Sequence, residues 1–243
     1  MTSFGFQLYS LHAVDDQLPT VIKRVGETGF EGVEFAGLDD ADIESVNTAL
    51  DRSGLATAGA HVGLDEIEAD IEDVAETYRN LGCEAVAVPW LDPEHFNSRE
   101  AVKETGERLN DAATSLANYG LDLHYHNHDQ EFTELDGSPA LEHLLEVTDD
   151  VGLQLDLGWA GAAGYEPLSF VEAHADRIDL VHLKDYDAAT GKTVEVGEGD
   201  LDIGKTVDLV RELEFDWLIY EAEEQPDSYE TLKHAADIVE AHW

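Results

Sequence analysis

A β-type run followed by a helical pattern recurs eight times along the chain, and no other feature restricts its fold so tightly. Neighbouring parallel strands need a crossover of a dozen or more residues, usually a helix, so this alternation is the signature of βαβ units. The expected strands are Phe4–Tyr9, Gly32–Phe35, Thr57–Val62, Ala85–Trp90, Leu121–Asn127, Gly152–Leu157, Ile178–Lys184 and Trp217–Ala222. Helical patterns lie between them, among others over 64–81, 98–119, 138–148 and 228–241. Capping residues mark helix starts (Ser98 with Glu100 nearby, Ser138-Pro139, Asp227-Ser228). Gly29, Gly54, Gly82 and Gly120 stand where a left-handed C-terminal cap is expected. Eight units in 243 residues fit one α/β domain over residues 1–243, a (β/α)8 TIM barrel. A doubly wound open sheet fits less well, because eight evenly spaced units are rare there and the first strand–helix junction lacks a Gly-rich phosphate loop.

Charge narrows the partners. Fifty-five acidic residues face 13 basic ones, a net charge of −42. A nucleic-acid partner needs cations facing phosphates and is not expected. Such a charge strains a compact fold by self-repulsion in dilute buffer. At about 1 M salt the Debye length falls to about 3 Å and the repulsion is screened. Acids such as Asp39, Asp40, Asp42 and Glu44, and Glu66, Glu68, Asp70, Glu72 and Asp73, sit in segments that read as surface helices, and lysine is sparse. A salt-accumulating, halophilic cytoplasm is therefore expected. The apolar runs are too short to cross a bilayer, and the opening MTSFGFQLYS does not read as a signal peptide, so a cytoplasmic protein without a membrane partner is expected. Cys83, the one cysteine, excludes an internal disulfide and any Cys-rich zinc site.

In a TIM barrel, function sits at the C-terminal ends of the strands. Polar side chains gather there: Glu34, His61 and Trp90 at the ends of the second, third and fourth strands, then His124-Tyr125-His126-Asn127-His128 on the fifth. Asp156 ends the sixth, His182 with Lys184 and Asp185 marks the seventh, and Glu221 with Glu223 the eighth. Alternate side chains of a strand share a face, so His124, His126 and His128 can point inward together, as can Gln154 with Asp156. Strands lie about 4.8 Å apart, so one inward ligand from each of the last four can converge on a single cation. Imidazole with carboxylate suits Mn2+, Zn2+, Co2+ or Fe2+, and Mg2+ less well. A single inward histidine is more often hydrogen-bonded core than ligand. Four such residues at matching strand ends fit that reading poorly, since buried charges need a partner or a metal. His124 lies deeper and is expected to pack. Trp90 and Trp159 either cap the mouth or offer their faces to a sugar, and Gly197-Glu198-Gly199 is too short a motif to mark a phosphate site.

At these residues the chain resembles the sugar phosphate isomerase/epimerase family of xylose-isomerase-like TIM barrels. The resemblance rests on Gln7-Leu8-Tyr9-Ser10, Gly29-Phe30-Glu31-Gly32-Val33-Glu34-Phe35, Tyr125-His126-Asn127-His128-Asp129-Gln130-Glu131-Phe132, Leu155-Asp156, His182-Leu183-Lys184-Asp185, Val196-Gly197-Glu198-Gly199 and Tyr220-Glu221. It implies one divalent metal ion held by His126, Asp156, His182 and Glu221. Many relatives place a glutamate on the fifth strand; here that segment offers His126 or His128, of which His126 is preferred. Epimerases of this superfamily are thought to use two metal-bound glutamates, one on each face of the substrate, and this chain lacks one of them. His12 stands where similar proteins often carry an arginine, which removes a cation for an anionic substrate.

The expected chemistry is proton transfer next to a carbonyl. A cation chelating that carbonyl and the adjacent hydroxyl would stabilise an enediolate. Glu221 is the expected base, and Lys184 a donor to a substrate oxygen. Glu34, His61, Trp90, His128 and Trp159 are the expected substrate-binding residues. A small polyhydroxylated compound is thus the expected partner, isomerised or epimerised as a sugar or sugar phosphate. Dehydration of an inosose-like compound is the closest alternative, and a barrel that binds sugar or metal without catalysis is another. A metal-dependent nuclease resembling endonuclease IV would want several zinc ions and a basic groove, which the charge opposes. The sequence leaves a homo-oligomer open.

Overall fold

The computed structural model describes residues 1–38, 41–223 and 229–243. In chain order the elements are β1 (Ser3–Gln7), α1 (Leu18–Val25), β2 (Gly32–Phe35), α2 (Ile43–Ser53), β3 (Ala56–Ala60), α3 (Leu64–Ala69), α4 (Ile71–Asn80), β4 (Ala85–Val88), α5 (Arg99–Ala117) and β5 (Asp122–His126). There follow α6 (Ala140–Val147), β6 (Val151–Asp156), α7 (Leu157–Ala162), α8 (Pro167–Ala173), β7 (Ile178–Leu183), α9 (Ile203–Glu212), β8 (Trp217–Tyr220) and α10 (Tyr229–His242). The eight strands run parallel in the order β3-β2-β1-β8-β7-β6-β5-β4. Their outer members meet at a single bridge between His61 and Ala87, where the Val62 N–H donates to the Ala87 carbonyl at 2.9 Å. The result is a nearly closed (β/α)8 barrel.

Strand register sets which side chains share the lumen. Gly5 lies beside Gly32 and Ile219, Gln7 beside Glu34, His126 beside Gln154, and Asp156 beside His182. The alternate residues Phe4, Phe6, Val33, Phe35, Tyr125, Leu155, Val181 and Tyr220 turn the other way and are buried under the helices. There Phe4 stacks on Trp243 with ring centroids 5.0 Å apart, and Phe6 on Tyr220 at 5.7 Å. Burial of each such aromatic contributes roughly 1.5–3 kcal/mol. The barrel floor is filled by Trp217 and by His124, whose Nε2 lies 3.1 Å from Asp179 Oδ2. Gly32 is a glycine for that reason: a Cβ there would fall 2.6 Å from the Trp217 ring and 2.9 Å from the Ala56 carbonyl. His124 is therefore packing, as expected from its depth.

Several expected boundaries move. The helix expected over 64–81 stops and restarts at Asp70, whose φ of −153° and ψ of 79° leave the helical region while its carboxylate caps Asp73 N–H at 3.2 Å. The first strand ends at Gln7 rather than Tyr9, because the Gln7 side chain accepts the Tyr9 N–H at 2.9 Å and starts a 3-10 turn over Leu8–Leu11. Ser98 caps α5 by accepting the Ala101 N–H, as expected. Ser138 does not cap; Ser138–Pro139 pairs with Glu134–Leu135 around an Asp136-Gly137 turn in which both residues have positive φ, and α6 begins afterwards. Gly54, Gly82 and Gly120 adopt the expected left-handed conformation, with φ of 68°, 83° and 74°. Gly29 does not; a Cβ there would fall 2.8 Å from Val239, so close packing under α10 explains it. The expected cap Asp227-Ser228 and the acids Asp39 and Asp40 lie outside the described residues.

Asp42, Glu44, Glu66, Glu68, Asp70, Glu72 and Asp73 are all exposed on the outer helices and their caps. Cations offset few of them, among which Arg108 joins Asp65 and Glu68 at 2.7 and 2.8 Å. Repulsion among such charges is what salt screens. The thermal midpoint is expected to rise by at least about 15 °C between about 0.1 M and about 2 M KCl. A midpoint independent of salt would contradict this reading of the surface.

Candidate functional site

The C-terminal mouth of the barrel opens into a cavity of about 450 Å³, lined by Tyr9, His61, Trp90, His126, His128, Glu221, the acids Glu66 and Glu223, and neighbouring backbone. Beneath it lies a cluster of buried charged side chains. One ligand atom from each of His126, Asp156, His182 and Glu221 lies within 4.8 Å of the others, and all four residues are buried. His126 and Asp156 end β5 and β6, His182 is the penultimate residue of β7, and Glu221 follows β8.

Glu34 anchors the cluster from below. It is 0% exposed, and its carboxylate accepts from Gln7 Nε2 at 2.7 Å and Gln154 Nε2 at 2.5 Å, and lies 2.7 Å from His182 Nε2. His61 joins the same network, with Nε2 2.8 Å from Gln154 Oε1 and 3.5 Å from Glu34 Oε2. With Nε2 committed to Glu34, the His182 ring presents Nδ1 to the cluster, 2.9 Å from Glu221 Oε2. Burial alone would drive the proton off His182, but the carboxylates of Glu34 and Glu221 outweigh it and hold the imidazolium up to about 10. Burial likewise opposes charge on Glu34 and Glu221. His61 and His182 keep Glu34 below its usual range, and Lys184 and His182 keep Glu221 well below it.

Asp156 is held by its neighbours' backbone and side chains. Its Oδ1 accepts the Trp159 N–H at 2.8 Å and caps α7, while Asn127 Oδ1 accepts the Asp156 N–H at 3.0 Å. Its Oδ2 is buried and has no hydrogen-bond partner. Three nitrogens surround that oxygen just beyond bonding reach: Lys184 Nζ at 3.7 Å, His126 Nε2 at 3.9 Å and His182 Nδ1 at 4.0 Å. Burial raises the Asp156 carboxyl to about 7, which marks the cost of this unpaired position. Two atoms each about 2.1 Å from one ion lie at most about 4.2 Å apart, so the spacing around Oδ2 suits a shared divalent cation. The donor set suits it too. Burial, reinforced by His182 and His61, keeps His126 well below its ordinary value, in the neutral form that ligates metals. The Glu34–His182 contact is the carboxylate–histidine arrangement that orients a ligating ring.

Lys184 is fully buried beside these groups, 3.0 Å from Glu221 and in contact with Glu223, and its ammonium lies 5.3 Å over the Trp159 ring. Burial opposes that charge, but Glu221, Asp156 and Glu223 together hold the proton on. His128 lines the cavity, and burial and then Lys184 push it down to about 4, so it is neutral near pH 7. Its ring lies 5.2 Å from Trp159, and Trp90 is 47% exposed at the rim. Of the residues expected to bind substrate, His61, Trp90 and His128 thus line the cavity. Trp159 stands against Lys184 and His128, and Glu34 lies below with its oxygens engaged by protein groups.

Three further residues belong to the site without having stood out in the sequence. Gln7 ends β1 beside Glu34 of β2, but the expected end of that strand at Tyr9 hid it. Glu66 reads in the sequence as a surface acid, yet it reaches the mouth from the first turn of α3. Glu131 has a role that its motif does not reveal. It is 0% exposed, takes the Tyr125 hydroxyl hydrogen bond, and accepts the His128 N–H at 2.9 Å, which fixes the chain leaving β5.

Residues 22–241 match the family model of the xylose isomerase-like TIM barrel. Among curated relatives, an inosose dehydratase from Geobacillus kaustophilus (strain HTA426) is 28% identical over 257 residues, covering 88% of this chain and 82% of that protein. Among solved structures, a sugar phosphate isomerase/epimerase from Parabacteroides distasonis ATCC 8503 superposes with a TM-score of 0.83 at 18% identity, covering 98% of this chain and 97% of that one. The apo form of 3-keto-D-glucoside 4-epimerase from E. coli gives a TM-score of 0.73 at 18% identity, covering 99% and 98%.

The buried charges make two outcomes measurable. A divalent cation must displace the His182 proton, which is held up to about 10, and below about pH 7 the Asp156 proton as well, so Mn2+ binding is expected to release protons, more at pH 6 than at pH 8.5, and to tighten as pH rises over that range. Calorimetric titration in buffers of different ionisation enthalpy reads both quantities; pH-independent binding without proton release would contradict the arrangement. Glu131 is raised to about 7, chiefly by burial. Its stabilising contribution is therefore full below the usual carboxylate range and is lost as pH rises through about 7, by about 3 kcal/mol in total. Glu131→Gln is expected to gain stability relative to the native protein between pH 5 and pH 8, measured by urea unfolding in high salt. An unchanged difference at the two pH values would show that Glu131 is not held protonated.

Proposed function

The chain belongs to the xylose isomerase-like TIM barrel family, and on that premise we propose that it is a metal-dependent enzyme that moves a proton next to the carbonyl of a sugar-like substrate. The observation that carries this is the unpartnered, buried Asp156 Oδ2 set among His126, His182 and Lys184. In this reading His126, Asp156, His182 and Glu221 hold one divalent cation, of which Mn2+, Zn2+ and Co2+ suit the donors better than Mg2+. Such a cation, when bound, polarises a carbonyl and acidifies the neighbouring C–H.

The chain's own residues do the rest. Glu221 lines the cavity floor and is held ionised by Lys184 and His182, so its carboxylate accepts the substrate proton. Lys184, kept protonated, donates to the substrate oxygen on which negative charge develops. His128 is neutral and its buried Nδ1 lacks a protein partner, so it can bond a substrate hydroxyl, and His61 faces the same space. Trp90, exposed at the rim, offers an apolar face to the ring carbons, while Trp159 backs Lys184 and His128. Glu34 acts through His182 rather than on the substrate. Return of a proton to the opposite face of the same carbon gives epimerisation, and its return to the adjacent carbon gives isomerisation.

One observation favours a second reading. β5 supplies the imidazole of His126, held neutral by burial, in place of a carboxylate. Of the two cluster carboxylates, only Glu221 lines the cavity, an arrangement suited to removing one proton while Lys184 protonates the adjacent hydroxyl so that it leaves as water. The named function of the Geobacillus kaustophilus relative is inosose dehydratase, which agrees with that outcome.

Turnover of a panel of ketoses and inososes in D2O, followed by NMR with Mn2+-saturated protein, separates these. Isomerase or epimerase action gives a rearranged product carrying solvent deuterium; dehydration gives an unsaturated product and loss of water. Glu221→Gln at saturating Mn2+, with its metal content measured, is expected to lose at least about 10³-fold in kcat. Full activity of that variant, or absence of both turnover and exchange in the native protein, would overturn the proposal.

A further inference from the structure

We infer that the substrate enters this site uncharged, as a polyhydroxylated ketone without a phosphate or carboxylate group. The inference rests on the proposed function and refines it. A barrel recognises an anion with side-chain cations, with backbone N–H groups of the loops after the seventh and eighth strands, or with helix N-termini. Among the described residues, side-chain cations are missing from the mouth, and the amides of the loop after β7 are already engaged.

None of the 13 lysines and arginines is among the described residues that line the mouth cavity. Lys184, just below it, is bound to Glu221 and Glu223. The stretches outside the described residues, Asp39-Asp40 and 224–228, contain no lysine or arginine. His12, which follows the Tyr9-Ser10 pair, is stacked on Tyr9 at 4.6 Å with its Nδ1 on the Tyr9 carbonyl.

The loop after β7 carries Gly197-Glu198-Gly199, and its amides face inward to the protein's own carboxylate. Asp185 Oδ2 accepts the Gly197 and Gly199 N–H groups at 2.9 and 3.0 Å, and its Oδ1 accepts those of Tyr186 and Leu201 at 2.8 and 2.9 Å. Asp185 is 0% exposed, so this cradle is filled. Two helix starts are capped by the protein's own carboxylates: Asp156 caps α7, and Asp202 caps α9 by accepting the Lys205 N–H. The start of α3 has no side-chain cap, but Asp65 and Glu66 in its first turn oppose an anion there.

What the mouth does offer matches an uncharged polyol. Glu66 is an acceptor for hydroxyl hydrogens and repels anions, and Tyr9 and Trp90, 43% and 47% exposed, present aromatic surface for C–H faces.

The test compares uncharged ketoses and inososes with their phosphate esters, using Mn2+-loaded full-length protein in about 1 M KCl so that the long-range field of the net charge is screened. Two readouts are taken: turnover, and tryptophan fluorescence with the unreactive reduced polyol and its phosphate. The uncharged compounds are expected to exceed the esters at least about 100-fold in kcat/KM, because an anion here would be left without a partner. Glu66→Gln is expected to narrow that ratio several-fold by weakening the repulsion. Preference for the phosphate ester in either readout would overturn the inference and leave the carbonyl chemistry standing. Binding of the uncharged polyol without turnover would support the substrate class while overturning the proposed reaction. Failure of every compound in both readouts would overturn the proposed function and this refinement with it.

Discussion

The lumen of this barrel holds more charge than a protein interior tolerates unless each charge is matched. Glu34, Asp156 and Glu221 lie within reach of His61, His126, His182 and Lys184, nearly all of them sealed from solvent. Desolvation penalises the charges on Glu34, Glu221, His182 and Lys184, and the arrangement persists because these neutralise one another at 2.7–3.0 Å. Asp156 Oδ2 is the exception, since its nearest nitrogens stop at 3.7–4.0 Å. Within this cluster, the oxygen left without a hydrogen bond sits at the point where four strands present their ligands.

The surrounding residues preserve that spacing. Glu34 fixes the His182 ring from beneath, with Gln7 and Gln154 filling its remaining acceptor capacity. Asn127 ties β5 to β6 through the Asp156 backbone, bonding both its N–H and its carbonyl. Glu131 holds the backbone at His128, and Asp185 gathers four amides of the chain beyond β7. The side chains of the cluster are thus carried at or beside strand ends whose positions are set by surrounding buried polar contacts. Isomerisation, epimerisation and dehydration share proton removal and diverge only after it. The features of this chain that bear on that choice in the proposed function are the imidazole of His126 on β5 and a mouth lined, among the described residues, by acids and no lysine or arginine.

Much of this was legible in the sequence. All eight strands follow from the recurring β-then-helix pattern, and convergence of His126, Asp156, His182 and Glu221 follows from one inward residue at the end of each of four neighbouring strands. Boundaries were less legible for a definite reason. Gln7 and Asp156 end their strands by capping the next turn with their own side chains, so apolar runs read as strand continue into helix at Leu8 and Leu157. The role of Glu34 could not be read, because reach across the lumen to β6 and β7 depends on barrel closure rather than on spacing along the chain. Asp185 was equally opaque, since nothing local shows that its carboxylate collects amides up to 16 residues ahead.

The central claim is that a single divalent cation occupies the space beside Asp156 Oδ2. The most direct measurement is crystallographic: anomalous diffraction from crystals grown with Mn2+ at high salt. The account predicts one strong anomalous peak within bonding distance of His126, Asp156, His182 and Glu221, with His182 still held by Glu34. A map with no peak there and His182 Nδ1 still bonded to Glu221, or a peak bounded by other residues, would contradict it.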